Sequence, residues 1–215
     1  MLSRTLLVIA LLFVAPVVPA NAAPGCSGYV ALTYDDGPNP GFVRPLLAAL
    51  KAARARATFF DVGARAEERP DLVRETVRAG HWLGNHSWSH PALTTLPPTE
   101  LTAELSRTQD VLREATGRTP TLFRPPYGDT NDAVRAEARR QGLTEVLWTV
   151  DTVDWSGVPT EAIVRSATAA KSGDIILMHD GYQTTVDAVP QIVKGLKAKH
   201  LCPGKITPKG RVAAP

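Results

Sequence analysis

Five short segments of the chain concentrate side chains able to move protons or hold a metal. Thr33-Tyr34-Asp35-Asp36-Gly37-Pro38 sets two carboxylates side by side after an apolar run, and Gly37-Pro38 supplies the turn. Such a pair serves either as a solvated turn that bonds its own backbone or as a metal ligand beside a general base. His86 and His90 stand four apart, so they would share a face if the segment turns helically, and zinc commonly uses such a pair. The same spacing also arises in packing or surface pairs. Because no glutamate follows His86, the His-Glu-x-x-His signature of zinc proteases is absent. Two histidines and one aspartate would leave a coordination position open.

Arg124-Pro125-Pro126-Tyr127-Gly128 places an arginine before a loop that its prolines stiffen. The guanidinium would either close a structural ion pair in a turn or hold a carboxylate base ionised and oriented. Asp151-Thr152-Val153-Asp154-Trp155 joins two more acids to a large aromatic, readable also as a buried aromatic corner. The apolar run Asp174 to Met178 leads straight into His179. One such histidine is commonly structural, but against a nearby carboxylate its pKa would rise, which suits a general acid. His81 and His200 have no comparable setting and read as structural.

The elements that must position these groups follow a βα rhythm. Apolar runs at 29–34, 57–62, 82–85, 122–124, 145–150 and 174–178 read as strands. Helical spacing of apolar residues marks 43–55, 71–79, 98–115, 132–141, 159–170 and 186–199. Thr160 is expected to cap its helix, and Gly80, Gly117 and Gly142 to stop theirs. This alternation calls for a mostly parallel sheet, open or closed into a barrel, with helices outside. In such sheets chemistry gathers at the carboxyl ends of the strands, where all five segments fall.

Taken together and in order, the five segments resemble the polysaccharide deacetylases with the NodB homology domain, carbohydrate esterase family 4. The family's Thr-Phe-Asp-Asp-Gly-Pro is present as Thr33 to Pro38, with Tyr34 in place of phenylalanine. His-Ser/Thr-x-x-His is present at His86 to His90, and Arg-x-Pro-Tyr at Arg124 to Tyr127. Asp-x-x-Asp/Ser-Trp is present at Asp151 to Trp155, and Leu-x-His at Leu177 to His179. The opening Cys26 to Val30, the run Leu143 to Trp148 and the ending Leu201-Cys202 look most like secreted bacterial acetylxylan esterases and chitooligosaccharide deacetylases. The resemblance implies a distorted (β/α) barrel with fewer than the usual eight strands. It implies that Asp36, His86 and His90 bind one divalent metal ion, zinc or cobalt, with Asp35 as general base and His179 as general acid. Arg124 would orient Asp35, Asp154 would tune His179, and the Tyr127 N–H would help hold the oxyanion. Trp155 and Leu177 would line the pocket for the acetyl methyl group.

The remainder of the 215-residue chain limits the alternatives. At 44% hydrophobic and 21% charged residues it has the composition of a folded globular protein. Residues 1–22 read as a secretory signal, with Arg4 the one charged residue, an apolar stretch from Leu6 to Val18 too short to span a bilayer, and Ala20-Asn21-Ala22 as cleavage site. The expected product is one secreted catalytic domain, 23–215, monomeric and not held at a membrane. Its charge of about +2, from 23 basic and 21 acidic groups once Arg4 is removed, forms no basic run, so nucleic acid is not an expected partner. Export and placement near the two ends favour a disulfide between Cys26 and Cys202 over two free thiols. A serine esterase would need Gly-x-Ser-x-Gly, which is absent. A glycosidase pairing Asp35 with Asp154 would leave His86 and His90 unexplained. The expected partner is an acetylated polysaccharide or oligosaccharide, with chitin oligomers and acetylated xylan ahead of peptidoglycan. A non-catalytic carbohydrate-binding protein on the same fold is the alternative of another class.

Overall fold

The computed structural model of the protein describes residues 25–215, so the signal expected over 1–22 lies outside the described residues. Strand β1, Gly28–Gly37, runs through the middle of a parallel sheet whose path is β5-β4-β3-β2-β1-β7-β6. The others are β2 (Thr58–Asp61), β3 (Trp82–Asn85), β4 (Leu122–Phe123), β5 (Thr144–Glu145), β6 (Val150–Asp151) and β7 (Ile175–His179). β8 (Leu201–Pro203) pairs with the first residues of β1, and β9 (Lys205–Ile206) forms a small antiparallel ladder with β10 (Val212–Ala213). The helices are α1 (Val43–Ala53), α2 (Gly63–Glu68), α3 (Pro70–Arg78), α4 (Pro98–Thr116), α5 (Asp132–Arg140), α6 (Thr160–Thr168) and α7 (Gln183–Ala198).

Strand alternation divides β1 between two cores. Val30, Leu32 and Tyr34 pack with Leu46 and Leu50 of α1, Ile163 of α6 and Val189 and Ile192 of α7. Ala31 instead joins Phe60, Leu122, Val146, Ile175 and Ile206 on the concave side. Asp35 therefore projects to the concave side, in register with His179 of β7. The sheet curls into a half-barrel. β4 lies three strand spacings of about 4.8 Å from β1, yet Arg124 at its end reaches Thr33 Oγ1 at 2.8 Å, which a flat sheet would not permit. The distorted barrel is thus present, open between β5 and β6.

Two local expectations are corrected, and the open conformation of the His86–His90 segment is decided. Residues 145–150 do not make one strand: β5 and β6 lie at opposite ends of the sheet path, because the carbonyls of Val146 and Leu147 are turned to the Arg124 guanidinium. Thr160 is not a cap; Pro159 holds that position and Thr160 donates its hydroxyl to the carbonyl of Thr184. The His86–His90 segment is not helical, since Ser87 and His90 take left-handed backbone conformations at φ 62° and 60°. Gly80, Gly117 and Gly142 do end helices, with φ of 88°, 71° and 73°. The Cys26–Cys202 disulfide is formed, joining the chain just before β1 to β8 beside it. No described helix is long and apolar enough to cross a membrane.

Candidate active site

Register brings the expected groups to one rim. Asp35 pairs with His179 across β1 and β7, Asp61 with Asn85 across β2 and β3, and Asn85 with Phe123 across β3 and β4. The residues following these pairs include Asp36, His86 and Arg124, so all leave the sheet at the same edge.

Adjacent residues of a regular strand point to opposite faces, which would separate Asp35 from Asp36. Here the β1/β2 register slips between Asp35 and Gly37, and Asp36 takes φ 69°. This bulge turns both carboxylates toward the same cleft. The arrangement also depends on Gly37: a Cβ there would stand 2.6 Å from Asp61 Oδ1 and 2.7 Å from Asp180 Oδ2. Asp180 fastens the turn from the other side, donating its N–H to the Asp35 carbonyl at 3.1 Å and accepting from the Asn39 N–H at 3.2 Å.

The two aspartates have different company. Asp35 is buried and receives Arg124 Nη1 at 2.8 Å. Arg124 is itself fully buried, and its other donors go to Thr33 Oγ1 and the carbonyls of Val146 and Leu147, at 2.8, 3.1 and 3.0 Å. Four of the five guanidinium N–H groups are thus engaged, and its Cζ lies 4.2 Å from the Phe60 ring centroid. Asp36 faces the histidines instead: its Oδ1 lies 3.4 Å from His86 Nε2 and 3.1 Å from His90 Nε2. Burial tends to raise the Asp36 pKa, but hydrogen bonds from His86 and His90 outweigh it and hold the carboxyl well below the usual range.

One ligand atom from each of Asp36, His86 and His90 lies within 4.8 Å of the others, a donor set suited to a divalent transition metal. The imidazole of His86 is oriented for the task, because its Nδ1 sits 2.8 Å from the Arg124 carbonyl and leaves Nε2 facing the cleft. The non-helical loop between the histidines is pinned by a residue the motifs do not contain. Glu104 on α4 accepts from the N–H groups of Trp88 and Ser89 and from the Ser89 hydroxyl, each at 2.8 Å.

Across the cleft, His179 Nδ1 lies 2.8 Å from Asp154 Oδ1, and its backbone N–H donates to Asp154 Oδ2 at 2.8 Å. Thr185 Oγ1 adds a 2.6 Å hydrogen bond to the fully buried Asp154. Burial works to lower the His179 pKa, yet the bond to Asp154 and the charges of Asp154, Asp35 and Asp36 raise it on balance. The cleft encloses about 410 Å3, and Leu177, Tyr127 and Trp155 line it as expected. Tyr127 and Trp155 are the most exposed large apolar side chains described, at 70% and 56%. Trp148 and Asp151 line it too, without having been assigned a place there; the close approach of Gly128 to Trp148, 2.7 Å for an added Cβ, fits the Tyr127 loop against that ring.

A buried carboxylate, a convergent Asp/His/His set and a carboxylate-backed imidazole around one cleft are the parts of a hydrolytic site. Comparison with known proteins agrees. A sequence profile described as polysaccharide deacetylase matches residues 22–146. A bifunctional xylanase/xylan deacetylase of Cellvibrio japonicus is 39% identical over 192 residues, 88% of this chain and 29% of that protein. The peptidoglycan-N-acetylmuramic acid deacetylase PdaC of Bacillus subtilis is 41% identical over 168 residues, 78% of this chain and 35% of that protein. The chain thus spans about a third of the length of these relatives. Among solved structures, a family 4 carbohydrate esterase from Streptomyces lividans in complex with acetate superposes with a TM-score of 0.86 at 46% identity, covering 88% of this chain and 99% of that one. By motif, fold and profile alike, the chain belongs to the polysaccharide deacetylase family.

Proposed function

We propose that the protein is a metal-dependent deacetylase that hydrolyses N-acetyl or O-acetyl groups on β-1,4-linked polysaccharides or their oligomers and releases acetate. The observation that carries this reading is that Asp35 and His179, paired on neighbouring strands, line one cleft in which Asp36, His86 and His90 converge. Asp36, His86 and His90 would hold a zinc or cobalt ion, which would supply Lewis acidity at this site. Asp35, fixed by Arg124, takes a proton from the attacking water as it adds to the acetyl carbonyl carbon. The Tyr127 N–H supports the oxygen that becomes negatively charged. His179, held by Asp154, then gives its proton to the departing amine nitrogen or sugar oxygen, the C–N or C–O bond breaks, and acetate leaves. Leu177 and Trp155 enclose the methyl group.

Chitin oligomers and acetylated xylan are the proposed substrates. Xylan draws support from the name of the Cellvibrio relative, and peptidoglycan, carried by the name of the Bacillus relative, is the competing one. Secretion belongs to the same proposal, supported by the pattern of residues 1–22 and by a disulfide that suits an oxidising compartment. The test is acetate release by the purified protein from chitooligosaccharides and from acetylated xylan, each with chelator and then with zinc or cobalt restored. Release that stops with chelator and returns with metal is the expected result, and the ratio of the two rates names the substrate. No release from these or from peptidoglycan under any metal would overturn the enzymatic reading in favour of carbohydrate binding.

A further inference from the structure

The end of the sheet opposite the cleft is as basic as the cleft is acidic. The helices run back against their strands, so the C-termini of α1, α3, α4 and α7 collect where strands begin. Lys51, Arg54, Arg56 and Arg78 line one surface depression there. Arg54 also lines a second, with Lys197 and His200, beside the disulfide. Lys197 continues into a third with Lys194. Arg118 and Lys205 line a fourth, which meets the first at His81. The four depressions form one continuous tract, and no Asp or Glu side chain lines any of them. The cleft, by contrast, is lined by Asp35, Asp36 and Asp151 and by no Lys or Arg.

Helix dipoles favour cations at C-termini, and two lysines serve in that way. Lys197 Nζ donates to the Ala53 carbonyl at 3.2 Å, and Lys199 Nζ to those of Thr168 and Ala170 at 2.8 and 2.7 Å. The others are not so occupied. Among the described residues, Lys51, Arg54, Arg56, Arg78, Arg118 and Lys194 make no ion pair and donate no side-chain hydrogen bond. The local field is felt by His81, which burial and then the Arg56 charge bring down to about 4. Unpaired charges of one sign on one face repel one another, and a polyanion laid across them relieves that repulsion.

We propose that this basic tract docks an acidic polysaccharide, a glycan chain bearing carboxylate groups, while the cleft at the opposite end remains free for its own substrate. Three observations favour this occupant. The exposed large apolar residues described, Tyr127, Leu147, Val153, Trp155 and Tyr182, belong to the cleft end, so among the described residues the basic end has no fully exposed large apolar side chain to insert into a lipid surface. The cations lie in successive depressions instead of on a projecting helix that would enter a nucleic-acid groove. Half-buried Trp82 and Tyr29 line two of those depressions and offer apolar surface for sugar rings beside the cations. The choice of a glycan rests in part on the deacetylase reading, whereas the binding itself does not.

The test is retention of the full-length protein on immobilised polygalacturonate at about 0.02 M NaCl, where the electrostatic reach is near 20 Å or more, followed by elution with rising salt. Anionic phospholipid vesicles, duplex DNA and neutral dextran are run as parallel probes. Retention on polygalacturonate that is lost above about 0.3 M NaCl is expected, and the variant K51Q/R54Q/R56Q/R78Q should bind roughly tenfold more weakly or worse. A second variant, R118Q/K194Q, tests the same tract at other depressions with less perturbation of any one helix. Both should keep their thermal midpoint and their rate on neutral acetylated oligomers. Passage of the wild-type protein without retention would overturn the proposal, as would unchanged retention of both variants or tighter binding to vesicles or DNA. Failure of acetate release would leave this result standing, because the retention assay needs no turnover.

Discussion

The two ends of the half-barrel are built from the same alternating elements but store different things. At the carboxyl end the backbone is bent out of regular geometry, and five of the seven non-glycine residues with positive φ among the described residues are found there: Asp36, Ser87, His90, Tyr127 and Val153. At the amino end the two remaining cases, Arg54 and His200, sit just after helices. The carboxyl end buries two charged pairs, Arg124 with Asp35 and Asp154 with His179, beside the carboxyls of Asp61 and Asp180, while the amino end leaves Lys51, Arg54, Arg56 and Arg78 exposed and without an ion pair. Among the described residues, positive-φ backbone and buried charge thus gather mainly at the rim where proton transfer is proposed, and regular packing supports that rim from below.

Removing one of the convergent ligands should produce the largest difference between the ends. H86A or H90A is expected to lose bound metal on dialysis, from about one ion per chain, and to lose acetate release by roughly 10²-fold or more. Elemental analysis checks the first and an acetate assay the second. Metal content equal to that of the wild type would remove the residue from the ligand set.

The matched burial is tested through stability. Arg124→Met leaves Asp35 and two carbonyls without their donor, and loss of one member of a buried pair typically costs about 3–5 kcal/mol in urea unfolding. Arg54→Met at the other end should stay within about 0.5 kcal/mol, as exposed substitutions usually do. Equal costs would erase the contrast between the ends.

A smaller effect is expected in the pH profile. The His179 pKa is raised above the ordinary imidazole value, so the protonated form persists to higher pH in the folded protein. Its stabilising contribution is complete below the ordinary value and is lost as pH rises through the raised one. The rate should therefore fall on the alkaline side only above the ordinary histidine range, and Asp154→Asn should move that fall to lower pH. An unmoved alkaline limb in Asp154→Asn would dissociate His179 from the proton donor.

The smallest effect concerns Asp180, whose carboxyl is pushed up to about 7, chiefly by burial. A carboxyl raised in the folded state costs stability once pH exceeds the ordinary carboxylate value, and the cost is complete above the raised one. Asp180→Asn should therefore raise the thermal midpoint more at about pH 8 than at about pH 4. The same gain at both would show that this carboxyl does not titrate in the fold.

Much of this was legible in the sequence because apolar strands and turn residues are local signals. β1, β2, β3 and β7 and the main helices fall where periodicity puts them, and the five motifs name the site residues. What was not legible depends on partners distant in the chain. The strand expected over 145–150 breaks because Arg124 takes its carbonyls. Whether His86 to His90 turns helically was left open by the spacing; it is a loop, with Glu104 on the following helix binding its N–H groups. Thr185 carries no motif signal, and Thr33, though it opens the first motif, is given no partner by it; their hydrogen bonds to Asp154 and Arg124 exist only after strands and helices meet. The short β8, β9 and β10 lack a sufficient apolar run to be read. The basic tract is hidden for a related reason: a net charge of +3 says nothing of which helix ends the topology gathers together.

In the proposed reaction the two adjacent carboxylates turned into one cleft by the bulge have different tasks, with Asp36 to hold the ion and Asp35 to move the proton. Asp35→Asn, assayed for metal content and acetate release on the same preparation, tests it most directly. The account predicts wild-type metal content with acetate release reduced by about 10²- to 10⁴-fold or more. Full activity in that variant, or loss of its metal, would contradict it.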